Sequence, residues 1–413
     1  MFNGGRKLQG SITIGGAKNA ALPIMAASLL TSKEVTLDNV PRVRDIEMMV
    51  ELVRCTGAKI AFQNDIVHIQ AAKVSGKNLS NNVLASEIRS VNGMFGALLH
   101  RLRTLKLPLP GGCEIGARKI DLHISSLQEL GVRINTDKTH LIAKSEELHG
   151  CSTVLPYPSV GVTENLMIAA CLAKGVSTIA NAAKEPEVVD LANFLNSMGA
   201  EIEGAGTDFV KINGVDELSG TNHTVIPDRI ETGTYVTAAA ITNGDILLRN
   251  VDLSLLESVV KLVDSVGVNI QRFEKDVRAT SSGEFHPMDI ITEPYPGFPT
   301  DMQPIITPLL VMADGVSTIK ETIFERRFNH VTELIKMGAD MKIKDNELFI
   351  KGPSKLKGTK VEALDLRAGG SLMLAGLVAE GQTIIAGAHQ IFRGYENPLA
   401  KLRKVGANCT LVS

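Results

Sequence analysis

One segment rich in proline and glycine carries a cysteine beside two cations. It runs Pro108-Leu109-Pro110-Gly111-Gly112-Cys113-Glu114-Ile115-Gly116-Ala117-Arg118 and is followed by Lys119. This density of Pro and Gly predicts an exposed, shaped loop. Cations so close in sequence favour the thiolate, which is the nucleophilic form of Cys113. A lone cysteine is more often buried and inert, so a reactive and a structural interpretation of Cys113 both stay open.

Two further segments contain groups that could act on an anionic or hydroxyl-bearing substrate. The first, Gly297-Phe298-Pro299-Thr300-Asp301-Met302-Gln303, puts Asp301 after a turn and before an apolar run. The favoured local interpretation of Asp301 is a helix N-cap. The alternative is a general base, because a carboxylate can accept the proton of a sugar hydroxyl. The second, Phe392-Arg393-Gly394-Tyr395-Glu396, puts Arg393 on a loop before the last helix.

Apolar helices that begin with charged or polar residues must position these groups. The predicted helix starts are Lys18-Asn19, Arg89, Glu164-Asn165, Glu231-Thr232, Asp301 and Arg367. A helix start offers unpaired N–H groups and a positive dipole end, which suit phosphate and carboxylate ligands. The acids could simply stabilise the helix ends. Lys18, Arg89 and Arg367 face an unfavourable dipole end unless an anion is present, so convergence of these starts would form an anion site.

A repeated phrase, Gly-(Ala/Val)-x-(Ile/Met/Cys), divides the chain into six similar parts. Its glycines are Gly57, Gly131, Gly199, Gly267, Gly338 and Gly406, at intervals of 74, 68, 68, 71 and 68 residues. Before each phrase lie a small-residue helix, a strand-like stretch and a more amphipathic helix. A hairpin follows the phrase, most clearly over residues 347–352. Each unit is therefore predicted to run strand, helix, strand, helix, strand, strand.

Six such units predict an α/β fold of two similar domains with three βαβαββ-type units each. The first helix of each unit is apolar nearly all round, so we expect it inside, with strands and second helices outside, as an inside-out α/β barrel. The sixth unit lacks its last strand, and a strand-like stretch precedes the first helix. We therefore assign residues 19–226 to an N-terminal domain, and 1–18 with 227–413 to a C-terminal one. A duplicated α/β protein without this closure is the alternative.

Composition excludes several classes of function. Apolar residues make up 44% and charged residues 21% of the 413 residues, and the net charge is −2. These values predict a globular protein without a general nucleic-acid or membrane-surface role. There is no signal-peptide pattern and no apolar run of about 18 residues, so a cytoplasmic protein without a membrane span is expected. The five cysteines lack metal or disulfide spacing, and no nucleotide-binding or zinc-protease motif occurs, so we expect no metal and no cofactor.

From residue 3 to the C-terminus the chain resembles the UDP-N-acetylglucosamine enolpyruvyl transferases. The matching segments are Gly16-Ala17-Lys18-Asn19-Ala20, Pro110-Gly111-Gly112-Cys113, Gly116-Ala117-Arg118, Asp121-Leu122-His123, Pro227-Asp228-Arg229-Ile230-Glu231-Thr232-Gly233, Phe298-Pro299-Thr300-Asp301-Met302-Gln303, Asp365-Leu366-Arg367 and Arg393-Gly394-Tyr395-Glu396. The resemblance implies two domains with a cleft between them. It also implies transfer of the enolpyruvyl group of phosphoenolpyruvate to the 3′-hydroxyl of UDP-N-acetylglucosamine, the first committed step of peptidoglycan precursor synthesis.

The resemblance also implies roles for individual residues. Cys113 would donate a proton and be the residue that fosfomycin alkylates, and Asp301 would accept the proton of the sugar hydroxyl. Lys18 and Arg393 would be catalytic as well. Contacts to phosphoenolpyruvate would come from Lys18, Asn19, Arg118 and Arg393. Contacts to UDP-N-acetylglucosamine would come from Arg89, Arg118, Lys119, Ile120, Asp121, Leu122, Ser159, Val160, Gly161, Asp301 and Ile323.

Four residues depart from the family's pattern without removing a proposed catalytic group, and two rival functions stay open. The departing residues are Gly15, Lys119, Arg326 and Phe392. One rival is an enolpyruvyl transferase for a shikimate phosphate or a modified sugar nucleotide, although the Cys113 loop speaks against the shikimate acceptor. Another is a non-catalytic sugar-nucleotide binder. The joint presence of Lys18, Cys113, Asp301 and Arg393 argues against it, because a sensor would need no proton donor. The sequence leaves the oligomeric state open.

Overall fold

Helices and short strands alternate along residues 1–80, 82–87, 91–108 and 120–412, which this computed structural model describes. The helices are α1 Lys18–Ala27, α2 Arg44–Cys55, α3 Leu84–Glu87, α4 Val91–Leu102, α5 Asp121–Glu129, α6 Val160–Ala170, α7 Pro186–Ser197, α8 Arg229–Ile241, α9 Glu257–Val266, α10 Gln303–Val311, α11 Asn329–Lys336, α12 Leu366–Val378 and α13 Pro398–Lys404. No helix in these ranges is long and apolar enough to cross a membrane.

The strands are short and recur with the same spacing as the helices. They are β1 Phe2–Asn3, β2 Gln9–Thr13, β3 Glu34–Asp38, β4 Lys59–Gln63, β5 Ile66–Gln70, β6 Thr104–Pro108, β7 Arg133–Thr136, β8 His140–Lys144, β9 Ser152–Val154, β10 Val176–Ala180, β11 Glu201–Glu203, β12 Phe209–Asn213, β13 Asn222–Thr224, β14 Asp245–Arg249, β15 Val268–Arg272, β16 Asp276–Ser281, β17 Asp289–Ile291, β18 Gly315–Lys320, β19 Asp340–Lys344, β20 Glu347–Gly352, β21 Lys360–Glu362, β22 Gln382–Ala386 and β23 Asn408–Cys409.

The described residues divide into two units. Residues 16–108 and 120–226, with the gaps given above, form the N-terminal unit, and residues 1–15 with 227–412 form the C-terminal unit. Each unit has its own apolar core. Phe2, Leu8, Ile12 and Ile14 are buried in the core of the C-terminal unit, so the first residues of the chain pack with its second half.

Three helices in each unit are buried on nearly every side and contact one another. They are α1, α4 and α6 in the N-terminal unit and α8, α10 and α12 in the C-terminal unit. All residues of α8 and of α10 are buried. The second helices of the repeats, such as α2 and α11, bury one face only. The prediction of apolar helices inside each unit is therefore confirmed.

The sheets share one strand plan. In the sheet ordered β17-β18-β20-β19, a short edge strand runs parallel to its neighbour, which pairs antiparallel with a hairpin. Three other four-stranded sheets have the same arrangement. The sheet β21-β22-β1-β23 has the same strand directions, but β1 and β23 are far apart in sequence and form no hairpin. The described part of the remaining sheet is β6-β8-β7. Among the described strands the six sheets stay separate, so the strands of neither unit join into one closed sheet.

Strands at the start of the chain complete sheets whose other strands lie far along the sequence. Strand β2 pairs in parallel with β14, with Ile12 opposite Leu248. Strand β1 lies between β22 and β23, with Phe2 opposite both Thr383 and Cys409. In the N-terminal unit, β13 pairs in parallel with β3. The leading strands of the first and fourth repeats are therefore exchanged between the two halves of the chain.

The repeated glycines end the second helix of each repeat. All six have positive φ angles, between 91° and 111°. An L-residue with a Cβ atom adopts this left-handed conformation at a steric cost, whereas glycine does so freely. The helix must stop here for the chain to turn into the following hairpin. This requirement explains why the glycine recurs at nearly constant spacing.

Replacing one of these glycines tests this explanation. In Gly199→Ala the new Cβ atom would meet open space, so only the backbone conformation opposes it, at about 1–2 kcal/mol of unfolding free energy. The control Gly93→Ala lies in α4, where the Cβ atom would be 3.5 Å from Ala26 Cβ. It should be neutral or stabilise by up to about 1 kcal/mol. Urea unfolding of both variants measures the difference, and equal effects would contradict the role given to φ.

Candidate functional site

The carboxylate of Asp301 lies between two buried guanidinium groups. It follows β17 and precedes α10 in the C-terminal unit. Asp301 Oδ1 accepts a hydrogen bond from Arg327, and Oδ2 accepts from Arg367 Nη2 at 2.9 Å and Nε at 3.2 Å. The side chains of Arg327 and Arg367 are 3% and 4% exposed, whereas that of Asp301 is 27% exposed. The pairing fixes the direction of the carboxylate and leaves part of it accessible.

The expectation that Asp301 caps a helix is wrong. Helix α10 has Met302 at its N-cap position and no capping hydrogen bond from a side chain. The physical reason is that Arg327 and Arg367 bind both carboxylate oxygens of Asp301. The capping role belongs elsewhere, to Asp228 for α8 and Asp365 for α12, whose side chains accept from backbone N–H groups of the first turn at 2.8–2.9 Å.

Arg367 lies in the first turn of α12, where the helix dipole disfavours a cation. Burial, the largest single effect, lowers the pKa of Arg367, but Asp301, Tyr395 and Asp228 together raise the pKa above its usual value, with Asp301 contributing most of the rise. The guanidinium also lies 5.6 Å from the centre of the Tyr395 ring. The anion that Arg367 was expected to need is therefore supplied by the protein itself.

Arg393 ends a 3-10 helix over Ala388–Arg393. Its Nη1 donates to Gln390 Oε1 at 3.4 Å. Two residues later, Tyr395 is 1% exposed, and its hydroxyl is hydrogen-bonded to Thr234 Oγ1 at 2.9 Å. A Cβ atom at Gly370 would lie 2.9 Å from the same hydroxyl and 2.8 Å from Ile305 Cδ1, so a larger residue there would displace a neighbour. Tyr395 thus anchors the segment that carries Arg393 to helices α8 and α12.

Ile323 is half-buried in the segment that follows β18. Its backbone N–H donates to Glu321 Oε1 at 2.8 Å, and Glu321 Oε2 accepts from Thr300 Oγ1 at 3.0 Å. Thr300 directly precedes Asp301. The structure therefore links two of the predicted site residues, Asp301 and Ile323, through one carboxylate.

In the N-terminal unit, Lys18 is the first residue of α1, as predicted. Its ammonium donates to Asp45 Oδ2 at 3.0 Å, and the two side chains are 10% and 8% exposed. Asp45 lies on α2, so the second helix of the repeat neutralises the cation at the start of the first. The neighbouring Asn19 is exposed.

Two predicted nucleotide-binding segments lie at helix starts that meet. Ile120 is the N-cap residue of α5, which begins at Asp121, and Ser159 is the N-cap residue of α6, which begins at Val160. A Cβ atom at Gly161 would lie 3.4 Å from the imidazole of His123. The structure therefore brings the segment ending at Leu122 together with the one ending at Gly161.

Four predicted site residues, Arg89, Cys113, Arg118 and Lys119, lie outside the described residues. The other cysteines fit an inert role. Burial raises the pKa of the Cys171 thiol to about 12 and also raises the pKa values of Cys151 and Cys409. Cys55 ends helix α2.

Of the three acids expected at helix starts, Asp301, Glu164 and Glu231, only Glu231 lies in the first turn of a helix. Its Oε1 accepts from Lys401 at 2.7 Å and its Oε2 from the backbone of Gly15 at 2.9 Å. Glu164 instead lies in the middle of α6, which begins directly after the extended residue Ser159, so that expectation is wrong. Its Oε1 is buried although the residue is partly accessible. Burial, then Glu187 and Glu185, raise the pKa of Glu164 well above its usual value.

Arg327 and Glu321 were not identified from the sequence. Arg327 follows Arg326 between Phe324 and Phe328. An arginine between aromatic residues predicts partial burial, and a buried guanidinium requires a carboxylate partner. That signal could have identified Arg327. Glu321 follows an ordinary strand and has no comparable signal.

The chain is similar to enolpyruvyl transferases over nearly its full length. The sequence profile of the family described as EPSP synthase (3-phosphoshikimate 1-carboxyvinyltransferase) matches residues 2–402. UDP-N-acetylglucosamine 1-carboxyvinyltransferase 1 of Caldanaerobacter subterraneus subsp. tengcongensis is 46% identical over 401 residues, which cover 97% of this chain and 96% of the relative. The protein of the same name from Carboxydothermus hydrogenoformans is 44% identical over 410 residues, with coverage of 99% and 97%.

A solved structure has the same fold. The enolpyruvyl transferase NikO from Streptomyces tendae matches with a TM-score of 0.89 at 23% sequence identity, over 98% of this chain and 97% of that one. This likeness confirms the predicted α/β fold class.

Behind Arg327, the buried His330 predicts a pH dependence of stability. His330 is 0% exposed and pairs with Thr307 Oγ1 at 3.1 Å. Burial is the main cause that lowers the pKa of His330 from 6.5 to about 3; Arg327 also lowers it, and Asp365 opposes the shift. The unfolded chain then binds a proton that the folded chain does not. The free energy of unfolding therefore keeps its full value above pH 6.5 with respect to His330. Below that pH it falls by about 1.4 kcal/mol per pH unit.

The variant His330→Gln should lose this part of the acid sensitivity. Its free energy of unfolding, measured in urea at several pH values between 6.5 and 4, should fall less steeply than that of the wild type by about 1.4 kcal/mol per pH unit. His149→Gln, at an exposed histidine, is the control and should keep the wild-type slope. Equal slopes for all three proteins would show that His330 is protonated in the folded state.

Proposed function

This chain belongs to the EPSP synthase (3-phosphoshikimate 1-carboxyvinyltransferase) family, and from that premise we propose that it transfers the enolpyruvyl group of phosphoenolpyruvate to the 3′-hydroxyl of UDP-N-acetylglucosamine. The near full-length similarity to relatives named for this acceptor carries the proposal. We assign the reaction to the cytoplasm, as the first committed step of peptidoglycan precursor synthesis.

The proposed chemistry is an addition followed by an elimination. The 3′-oxygen bonds to C2 of phosphoenolpyruvate, Asp301 takes the hydroxyl proton, and Cys113 gives a proton to C3. In the second step C3 returns a proton to the Cys113 thiolate while the bond from C2 to the phosphate oxygen breaks, and phosphate leaves. A base and an acid on separate segments suit these two reaction steps, because the base acts on the sugar oxygen and the acid acts on C3.

The geometry of Asp301 supports its role as the base. Two buried guanidinium groups fix its carboxylate, and its 27% exposure leaves room for a hydroxyl group to approach. Catalysis by proximity requires this kind of fixed orientation. The half-buried Ile323, linked to the same segment, is proposed to contact the amino sugar.

The anionic parts of both substrates need donors that are already oriented. For phosphoenolpyruvate these are proposed to be Lys18, Asn19, Arg118 and Arg393, of which Lys18 and Arg393 also act in catalysis. For the nucleotide, the starts of α5 and α6 meet at His123 and Gly161, and helix starts direct N–H groups and positive dipole ends at phosphate groups. The other nucleotide contacts are proposed from Arg89, Arg118 and Lys119.

The main alternative is an enolpyruvyl transferase with a different acceptor, since the description of the matching family names 3-phosphoshikimate as the acceptor. Phosphate release from phosphoenolpyruvate should occur with UDP-N-acetylglucosamine and not with 3-phosphoshikimate, because the two acceptors need different anion and ring contacts. A continuous phosphate assay with each acceptor, and with none, measures this. Release with 3-phosphoshikimate alone would replace the proposed acceptor, and binding of UDP-N-acetylglucosamine without any release would favour a non-catalytic binder.

The role of Asp301 can be tested without unpairing the two arginines. Asp301→Glu keeps a carboxylate for Arg327 and Arg367 but moves it by one methylene, so the thermal midpoint should change little. A displaced base should lower kcat by about 100-fold or more. Asp289→Glu, at an exposed aspartate of β17, is the matched control and should keep wild-type kcat. Wild-type turnover by Asp301→Glu would remove Asp301 from the chemistry.

A further inference from the structure

A buried carboxylate, Glu321, accepts four hydrogen bonds at the end of β18. The residue is 4% exposed. Its Oε1 accepts from Thr292 Oγ1 at 3.0 Å, from Ile323 N at 2.8 Å and from Phe324 N at 3.1 Å. Its Oε2 accepts from Thr300 Oγ1 at 3.0 Å. The donors are two hydroxyl groups and two backbone N–H groups, and they come from three separate stretches of chain.

The bond to Thr300 connects this cluster to Asp301. The carbonyl oxygen of Thr300 accepts from Arg327 Nε at 3.2 Å, and the same guanidinium binds Asp301. The dipeptide Thr300-Asp301 is thus held from both sides by residues of the segment that follows β18. Glu321 begins this segment and Arg327 lies near its end, with Ile323 between them.

We infer that Glu321 is a positioning residue that sets the distance between Asp301 and Ile323. It thereby determines where the amino sugar binds. The inference rests on the proposed function, in which Asp301 accepts the hydroxyl proton and Ile323 contacts the sugar. A carboxylate is required because four donors converge on it. Glutamine offers a single acceptor oxygen and an NH2 group that can only donate.

This role predicts a selective kinetic effect. Loss of the Thr300 bond should disturb the acceptor sugar but not phosphoenolpyruvate, whose proposed contacts lie in other segments. Thr300→Val keeps the shape of the side chain and removes only the hydroxyl group. It should lower kcat/KM for UDP-N-acetylglucosamine by about 10- to 100-fold, with the KM for phosphoenolpyruvate unchanged. Thr300→Ser restores the hydroxyl group and should restore most of the activity.

Thr318→Val is the matched control, because Thr318 is also half-buried and donates its hydroxyl group to a carboxylate, Asp289, at 2.6 Å. It should leave all kinetic constants unchanged. Glu321→Gln should act in the same direction as Thr300→Val. The double variant should be little worse than Glu321→Gln alone, because both changes remove the same connection.

Steady-state kinetics with each substrate varied, together with thermal midpoints, distinguishes the outcomes. If Thr300→Val behaves like Thr318→Val, or if both KM values rise together as the thermal midpoint falls, Glu321 is structural and the inference is overturned. If the wild type itself releases no phosphate with UDP-N-acetylglucosamine, the proposed function fails and the inference falls with it. Wild-type turnover with unaffected variants overturns the inference alone.

Discussion

The burial of two guanidinium groups is the constraint on which the candidate site of the C-terminal unit depends. Arg327 and Arg367 have side chains only 3% and 4% exposed. An unpaired charge at such depth would cost far more than a typical surface interaction contributes. The cost is offset because Asp301 accepts hydrogen bonds from both arginines at once. The position of Asp301 is therefore set by two arginines distant in sequence rather than by its own turn.

Charged residues at the starts of other buried helices are also paired with an opposite charge. Lys18 on α1 pairs with Asp45 on α2, and Glu231 on α8 pairs with Lys401 on α13. In each case the counter-charge comes from one of the amphipathic second helices. The fold can bury apolar helices with charged first turns because these second helices supply partners. The charges at the helix starts are thus part of the packing as well as candidates for substrate binding.

The repeat could be predicted from the sequence because its cause is local. A residue such as Gly199 must adopt positive φ at the end of a helix, and this need recurs in every repeat. For the candidate site, the sequence could propose residues but not their ion-pair partners. Asp301 has the local signature of an N-cap, yet its partners lie 26 and 66 residues away, and no local pattern reports such pairs. Likewise, the start of α6 was misjudged by one turn, because moving an apolar helix by a turn leaves its periodicity unchanged.

The internal ion pairs use only part of the hydrogen-bonding capacity of these cations. An ammonium has three N–H donors and a guanidinium has five. The bond from Lys18 to Asp45 uses one donor, and the bonds from Arg367 to Asp301 use two. An anion can therefore join an existing pair instead of breaking it, and the carboxylate keeps the cation in a fixed direction before the anion arrives. Such preorganisation avoids reorienting flexible side chains at the moment of reaction, which is where electrostatic catalysis gains most of its effect.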